Sequence, residues 1–385
     1  MKFLLLSFLV ATAFAGNKSN IRSLNRFWLM NDRMDTDDLM RPYKRDYVRI
    51  NIDAAMSKGF DDFNKDVETA LESATPADFN AFVQKHENTE HFLKADVGFG
   101  VWLPGWNMWN TDVLPSIRAE ASVGALITNR TADASFGADF CAENNIPAEY
   151  CQGSTITVGS LFMEAYAVGT GKGGLNLDFK YDEKWTVDTF IYGMTRYDAV
   201  QAFNAADAAT GTADEIELKP ELTETVTANA DLHIGFNDGT TRIFAGVSEL
   251  KLSTIKDHVD NKQDEPSKEY RALFMGSGSP VYRVHIERRF DDLFLFDLIP
   301  FAGAHYREQY EAGDGVYGGL KFVFGWKAFH FAALGMYDPE YVTLTPRLQL
   351  GIIDIEGTLK SAHKEKDDFG VKLADIYAIN FRFHF

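Results

Sequence analysis

The chain has 385 residues, with 56 acidic against 38 basic side chains and a formal net charge of −18, a balance that excludes nucleic acid and other acidic polymers as partners. Its length admits two average domains, or one large barrel with an appended segment. The two cysteines have no histidine beside them, which excludes an ordinary zinc site.

Residues 1–15 combine Lys2, an apolar run from Phe3 to Val10 and the small-residue site Ala13-Phe14-Ala15, the layout of a secretory signal peptide cleaved before Gly16. That run is too short to span a bilayer, and no later segment approaches the ~20 apolar residues of a transmembrane helix. If the chain enters a membrane, it enters as a barrel.

Residues 16–90 read as a small α+β segment. Val48, Ile50 and Ile52 alternate with Arg49 and Asn51, which predicts a strand. Phe63, Val67 and Leu71 predict a helix over 61–74, and Thr75-Pro76-Ala77-Asp78 opens a second one, with Phe79, Phe82 and Val83 on its apolar edge. Too small and polar for its own core, the segment is expected to plug a barrel mouth or to form a periplasmic appendage.

Over residues 91–385 the pattern becomes a procession of about fourteen strands: 91–103, 116–128, 155–168, 174–181, 185–197, 222–236, 241–252, 281–290, 294–306, 317–326, 329–337, 342–352, 353–359 and 375–385. Most approach the ~10 residues that cross a bilayer obliquely. Alternation is clear where Leu175, Leu177 and Phe179 oppose Asn176, Asp178 and Lys180. Trp102, Trp106, Trp109, Trp185 and Trp326 fall at strand ends, as an interfacial girdle does.

Tight turns are expected at Asp182-Glu183-Lys184, Asn237-Asp238-Gly239, Asp291-Asp292 and Lys327, and long connections over 198–220, 253–280 and 361–371. One connection breaks the alternation of short and long: the loop holding Cys141 and Cys151 is long on the side of the tight turns. In an oxidising envelope these two cysteines are expected to close a local disulfide.

The inward faces carry Arg283 and Glu287 together with Phe190, Tyr192, Met194, Ile299, Phe301, Leu334 and Met336. These form the candidate ligand path, packing against the plug being the other reading. Position decides tolerance too: Arg at Ile286, outward, should be costly, and Arg at His285, inward, much less so.

Catalytic motifs fail on context, and no enzyme, cofactor or metal is expected. Gly169-Thr170-Gly171-Lys172-Gly173-Gly174 has the spacing of a nucleotide loop but leads into a strand, so it reads as a hairpin turn. The span from His86 to His91 has one residue too many for a zincin motif, and Gly276-Ser277-Gly278-Ser279 lacks the second glycine of a nucleophile elbow.

The final stretch places Tyr377, Ile379, Phe381, Phe383 and Phe385 on one face, with Asn380, Arg382 and His384 on the other. This resembles the C-terminal strand of bacterial outer-membrane β-barrel proteins, in which such residues are read by the barrel-assembly machinery. The whole layout is similar to that of FadL-type hydrophobic-substrate transporters, although the Asn-Pro-Ala signature of that family is missing and its ligand residues are therefore not carried over. The resemblance implies an all-β fold, a transmembrane antiparallel β-barrel of about fourteen strands with a small α+β N-terminal segment, located in the bacterial outer membrane. It implies passive uptake of small, hydrophobic molecules, with outer-membrane lipid and lipopolysaccharide, the assembly machinery and a small apolar ligand as partners. The alternative is a non-transporting barrel that anchors acidic extracellular loops.

Overall fold

The computed structural model describes residues 22–39, 47–73, 82, 84–131, 161–204, 221–259, 279–293, 296–326, 329–367 and 370–385. Cys141 and Cys151, and with them the expected disulfide, lie outside the described residues, as does most of the second predicted N-terminal helix.

Alternating sequence becomes an unbroken antiparallel wall. Its strands are β1 (Val48–Ser57), β2 (Thr89–Trp102), β4 (Thr111–Thr131), β5 (Leu161–Tyr181), β6 (Trp185–Asn204), β7 (Glu221–Asn237), β8 (Thr241–Val259), β9 (Val281–Arg288), β11 (Phe296–Tyr306), β12 (Val316–Trp326), β13 (Phe329–Tyr337), β14 (Tyr341–Leu350), β15 (Ile353–Ala362) and β16 (Ile376–His384). β3 (Trp106–Met108) is a short flap on β4, and β10 (Phe290–Leu293) continues β9 along β11. Neighbours in the chain are neighbours in the wall, and β16 returns to β1 with Ile50 opposite Phe383 and Ala54 opposite Ile379. The result is a closed barrel of 14 strands, which leaves no sheet edge along the ring.

Outward positions such as Val97, Phe99, Ile117, Leu175, Ile191, Leu232, Leu344 and Ile379 are large, apolar and exposed. Water would penalise so broad an apolar surface, whereas lipid does not. At the end of the barrel with the tight turns, Trp106, Trp109 and Trp185 are exposed as an interfacial belt requires. Trp102 departs from that expectation: it is buried on the inner face, because its place in β2 has the inward parity of Lys94 and Asp96.

Tyr377, Ile379, Phe381, Phe383 and Phe385 share the outward face of β16, and Phe385 ties the seam by donating its N–H to the Val48 carbonyl (2.9 Å) and accepting that of Val48 (3.1 Å). Phe385→Asp is expected to slow insertion and leave unfolded protein, with His384→Ala milder. Equal heat-modifiable migration of both variants on gels would reject the assembly role.

Two strands differ from expectation in compensating ways. Val48–Ser57, placed by the sequence in the N-terminal segment, is a strand of the wall, since it pairs with both β2 and β16. The expected hairpin at Gly169 to Gly174 is instead the middle of β5, where the ladders to β4 and β6 hold the glycines extended. With both changes the connection after Thr131 falls at the same end as the other long ones, and the break in alternation disappears. Asp291-Asp292 likewise lies within β10 and is not a turn.

Candidate functional site

Helix α1 (Arg22–Leu39) lies inside the barrel, and its residues explain its place. Phe27, Trp28 and Met30 are buried against Phe92, Leu126, Tyr166, Val168 and Tyr341 of the inner wall. Phe27 comes so close to Gly124 of β4 that a Cβ there would sit 2.6 Å from its ring, which only glycine allows. Each such side chain contributes roughly 1.5–3 kcal/mol by burial, and it is this packing of an apolar face, more than helix propensity, that orders the helix.

The polar face of α1 is held by ions from distant strands and from the connections between them. Asp32, fully buried, accepts two hydrogen bonds from Arg307 (2.9 and 3.0 Å) and one from the Tyr310 hydroxyl (2.9 Å), with Arg283 at 3.6 Å. Arg26 donates to Glu90 (2.8 Å) and Glu340 (2.6 Å), and Arg33 donates to Glu340 (2.5 Å). Asp35 accepts from Lys94 (2.5 Å). The guanidinium groups of Arg196 (4.8 Å) and Arg307 (4.4 Å) both lie over the Trp28 ring.

Glu340, Arg307, Tyr310 and Asp338, which lies 3.6 Å from Arg33, all belong to connections at the long-loop end, so α1 sits across that mouth. Burial pushes the Glu340 carboxyl up, but the Arg26 and Arg33 guanidinium groups outweigh it and hold it at about 2. Its contribution is present above the ordinary carboxylate range and is lost only as pH falls toward 2. Helix α2 (Phe60–Ser73) lies at the same end between β1 and β2, where Phe63 stacks on His91 (4.2 Å) and His86 meets Asp66 (2.7 Å).

Beneath α1, toward the tight turns, lies a cavity of about 370 Å³ between Asn31, Met34 and Asp35 of the helix and the inner wall. The sequence candidates are distributed around it. Phe190, Tyr192 and Met194 form one buried inward cluster, and Phe301, Leu334 and Met336 another with Tyr317. Ile299 is buried inward as well. Glu287 accepts from Lys321 (3.4 Å) and lies 3.5 Å from Arg242. Of the nine, Arg283 alone lines the cavity. Among the described residues neither apolar cluster is part of the one that holds α1.

Sequence reading missed α1 itself. Phe27, Trp28, Met30 and Met34 recur at helical spacing, which is the signal that finds it.

A closed antiparallel barrel with an apolar exterior and a charged interior filled by a helix defines a class, the transmembrane β-barrel. No protein-family model and no curated protein matches the chain. Among solved structures it is similar to the transport unit of the autotransporter AIDA-I from Escherichia coli (7% identity, 95% of this chain and 99% of that one, TM-score 0.36). It is also similar to a deletion mutant of the monoaromatic hydrocarbon channel TodX (7% identity, 89% and 91%, TM-score 0.43) and to a mutant of the Rh. blastica porin (8% identity, 88% and 99%, TM-score 0.30). The barrel assignment rests on the strand ladders of this chain.

Proposed function

We propose that the protein is a plugged channel of the bacterial outer membrane for passive uptake of small molecules. The observation that carries this reading is α1: a helix seated across one mouth by ions and rings, above a cavity and inside a complete wall. Such a helix can leave without disturbing the wall. Short turns of outer-membrane barrels face the periplasm, which puts α1 at the extracellular mouth. A FadL-type channel passes hydrophobic solutes; the lining of this cavity mixes charged side chains such as Arg49, Lys94, Asp96 and Arg382 with apolar ones such as Phe27 and Met34, which suits solutes with both polar and apolar parts. Lipid and lipopolysaccharide around the wall, and the assembly machinery at β16, complete the partners.

One observation favours the alternative of a surface anchor. Strands β4 to β8 have 17 to 21 residues, whereas β11 to β16 have 9 to 11, so one side of the barrel rises well beyond a bilayer. Purified protein in planar bilayers and in liposomes separates the two. A channel shows rare openings and solute entry, and silence in both assays rejects it in favour of the anchor.

A further inference from the structure

The glycines of β5 face two ways. Gly174 points inward and has to be glycine, since a Cβ there would stand 2.1 Å from the Ile191 carbonyl oxygen. Gly169, Gly171 and Gly173 point outward together with Gly193 of β6, and a Cβ on any of these would meet nothing within 4 Å. Glycine weakens a strand interior, and its usual grounds are a bulge, a tight corner, or the close approach of a ligand or another backbone. Pairing with β4 and β6 runs through these positions without a shift, which removes the bulge, and the crowded inner side of Gly174 accounts for a corner. Close approach from outside remains.

Register extends the bare surface across four strands. One outward row reads Ala119, Gly173, Gly193 and Ala228 from β4 to β7, and the next reads Ala121, Gly171, Thr195 and Val226. Toward the tight turns, Ile117, Leu175 and Ile191 stand exposed as a ledge. On the other side the following row holds Val123, Gly169, Tyr197 and Glu224. Between the two lies a recess floored by backbone and small side chains, three strand spacings or about 14 Å across.

Its place along the membrane normal says what fills it. Trp185 and Tyr197, both 48% exposed, mark the two ends of the apolar band on β6. The strand between them, at ~3.3 Å per residue and a tilt of ~40°, rises about 30 Å, the thickness of the hydrocarbon core. Ile191 lies halfway. Large side chains therefore cover the leaflet on the tight-turn side, and the recess occupies the other leaflet from its surface to the bilayer midplane. A second copy of the chain fits it poorly, because the ledges of two upright barrels would touch first and hold the recesses apart. Acyl chains end at the midplane, where the recess ends. At its rim, half-exposed Lys256 of β8 donates to Glu224 (2.6 Å), which pairs in register with Tyr197, so a cation stands at headgroup level.

We propose that this recess holds the acyl chains of a lipopolysaccharide molecule, with a phosphate of its headgroup beside Lys256. The width takes several chains side by side, and flat glycine backbone lets straight chains lie against the wall without gaps. The lysine supplies the charge that a phosphate needs. The proposal rests on the outer-membrane placement with tight turns in the periplasm, and not on the channel.

The test uses the full chain extracted from outer membranes in mild detergent and weighed by native mass spectrometry. Wild type should carry lipopolysaccharide. The double variant Gly171→Leu and Gly193→Leu fills the recess and should lower the retained lipid severalfold with heat-modifiable folding unchanged, since neither added side chain meets an obstacle. Ala121→Leu, a smaller intrusion in the same row as Gly171, should act in the same direction, and Thr189→Leu, outward in the other leaflet, should leave retention as it is. Equal retention by all four proteins overturns the proposal, as does retained phospholipid in place of lipopolysaccharide, or a wild-type dimer that the double variant dissociates. An epitope inserted after Glu183 checks the placement separately. Antibody binding to intact cells would refute the periplasmic position of the tight turns, whereas equal retention without such binding refutes the recess and keeps the placement.

Discussion

Asp32→Ala is expected to turn a mostly closed barrel into a conducting one. The carboxylate is fully buried and satisfies Arg307 and Tyr310 directly, with Arg283 close by. A buried ion pair adds little over an apolar substitute, but removing one partner strands the other at a cost of about 3–5 kcal/mol. Arg307 would retain Glu249 and the Ser279 carbonyl, so part of that cost is offset. The remainder falls on the docking of α1, since none of the wall ladders involves Asp32. Conductance in planar bilayers should rise sharply while heat-modifiable folding is unchanged, and hydrogen exchange should quicken over residues 22–39. Asn31→Ala, which loses only a 3.4 Å contact with Asp35, should differ little from wild type. A silent Asp32 variant whose helix stays protected would refute the gate.

The second large effect belongs to the outer wall. Ile286 is 45% exposed and lies outward on β9 between Ile243 of β8 and Ala302 of β11. Arg there should destabilise the folded barrel by ~2–4 kcal/mol, because lipid does not solvate a guanidinium at mid-strand. The inward control must be chosen with care. His285, expected from sequence to tolerate Arg, is fully buried, with Nδ1 3.1 Å from the Tyr317 hydroxyl and Nε2 3.3 Å from Glu287. A longer side chain there overpacks the interior at about 1–3 kcal/mol. Thr170 lines the cavity and has room, so Thr170→Arg should cost well under the Ile286 variant. Reversible urea unfolding in lipid vesicles makes the comparison, and equal stabilities would mean that the apolar wall does not face lipid.

Inward and outward residues were legible because a strand alternates with period two wherever it pairs. Phe190, Tyr192, Met194, Ile299, Phe301, Leu334 and Met336 all prove buried on the inner face, and Leu175, Ile191 and Ile379 exposed on the outer one. The glycines of β5 misled because local propensity reads them as a break, whereas ladders on both sides keep them extended. β1 was misplaced because a helical excursion separates it from the next strand in the chain, and its membership shows only when β16 closes on it.

By itself, then, the sequence determined the class of fold, the approximate number of strands and the face each side chain takes, since these are local and periodic properties. Tertiary structure alone decided the plug and the cavity. Arg26 and Glu340 are 314 positions apart, and no pattern in either stretch announces the other. Which residues meet around the cavity depends on register between strands far apart in the chain, such as β1 and β16, which hydrogen bonding between backbones sets and no single strand contains.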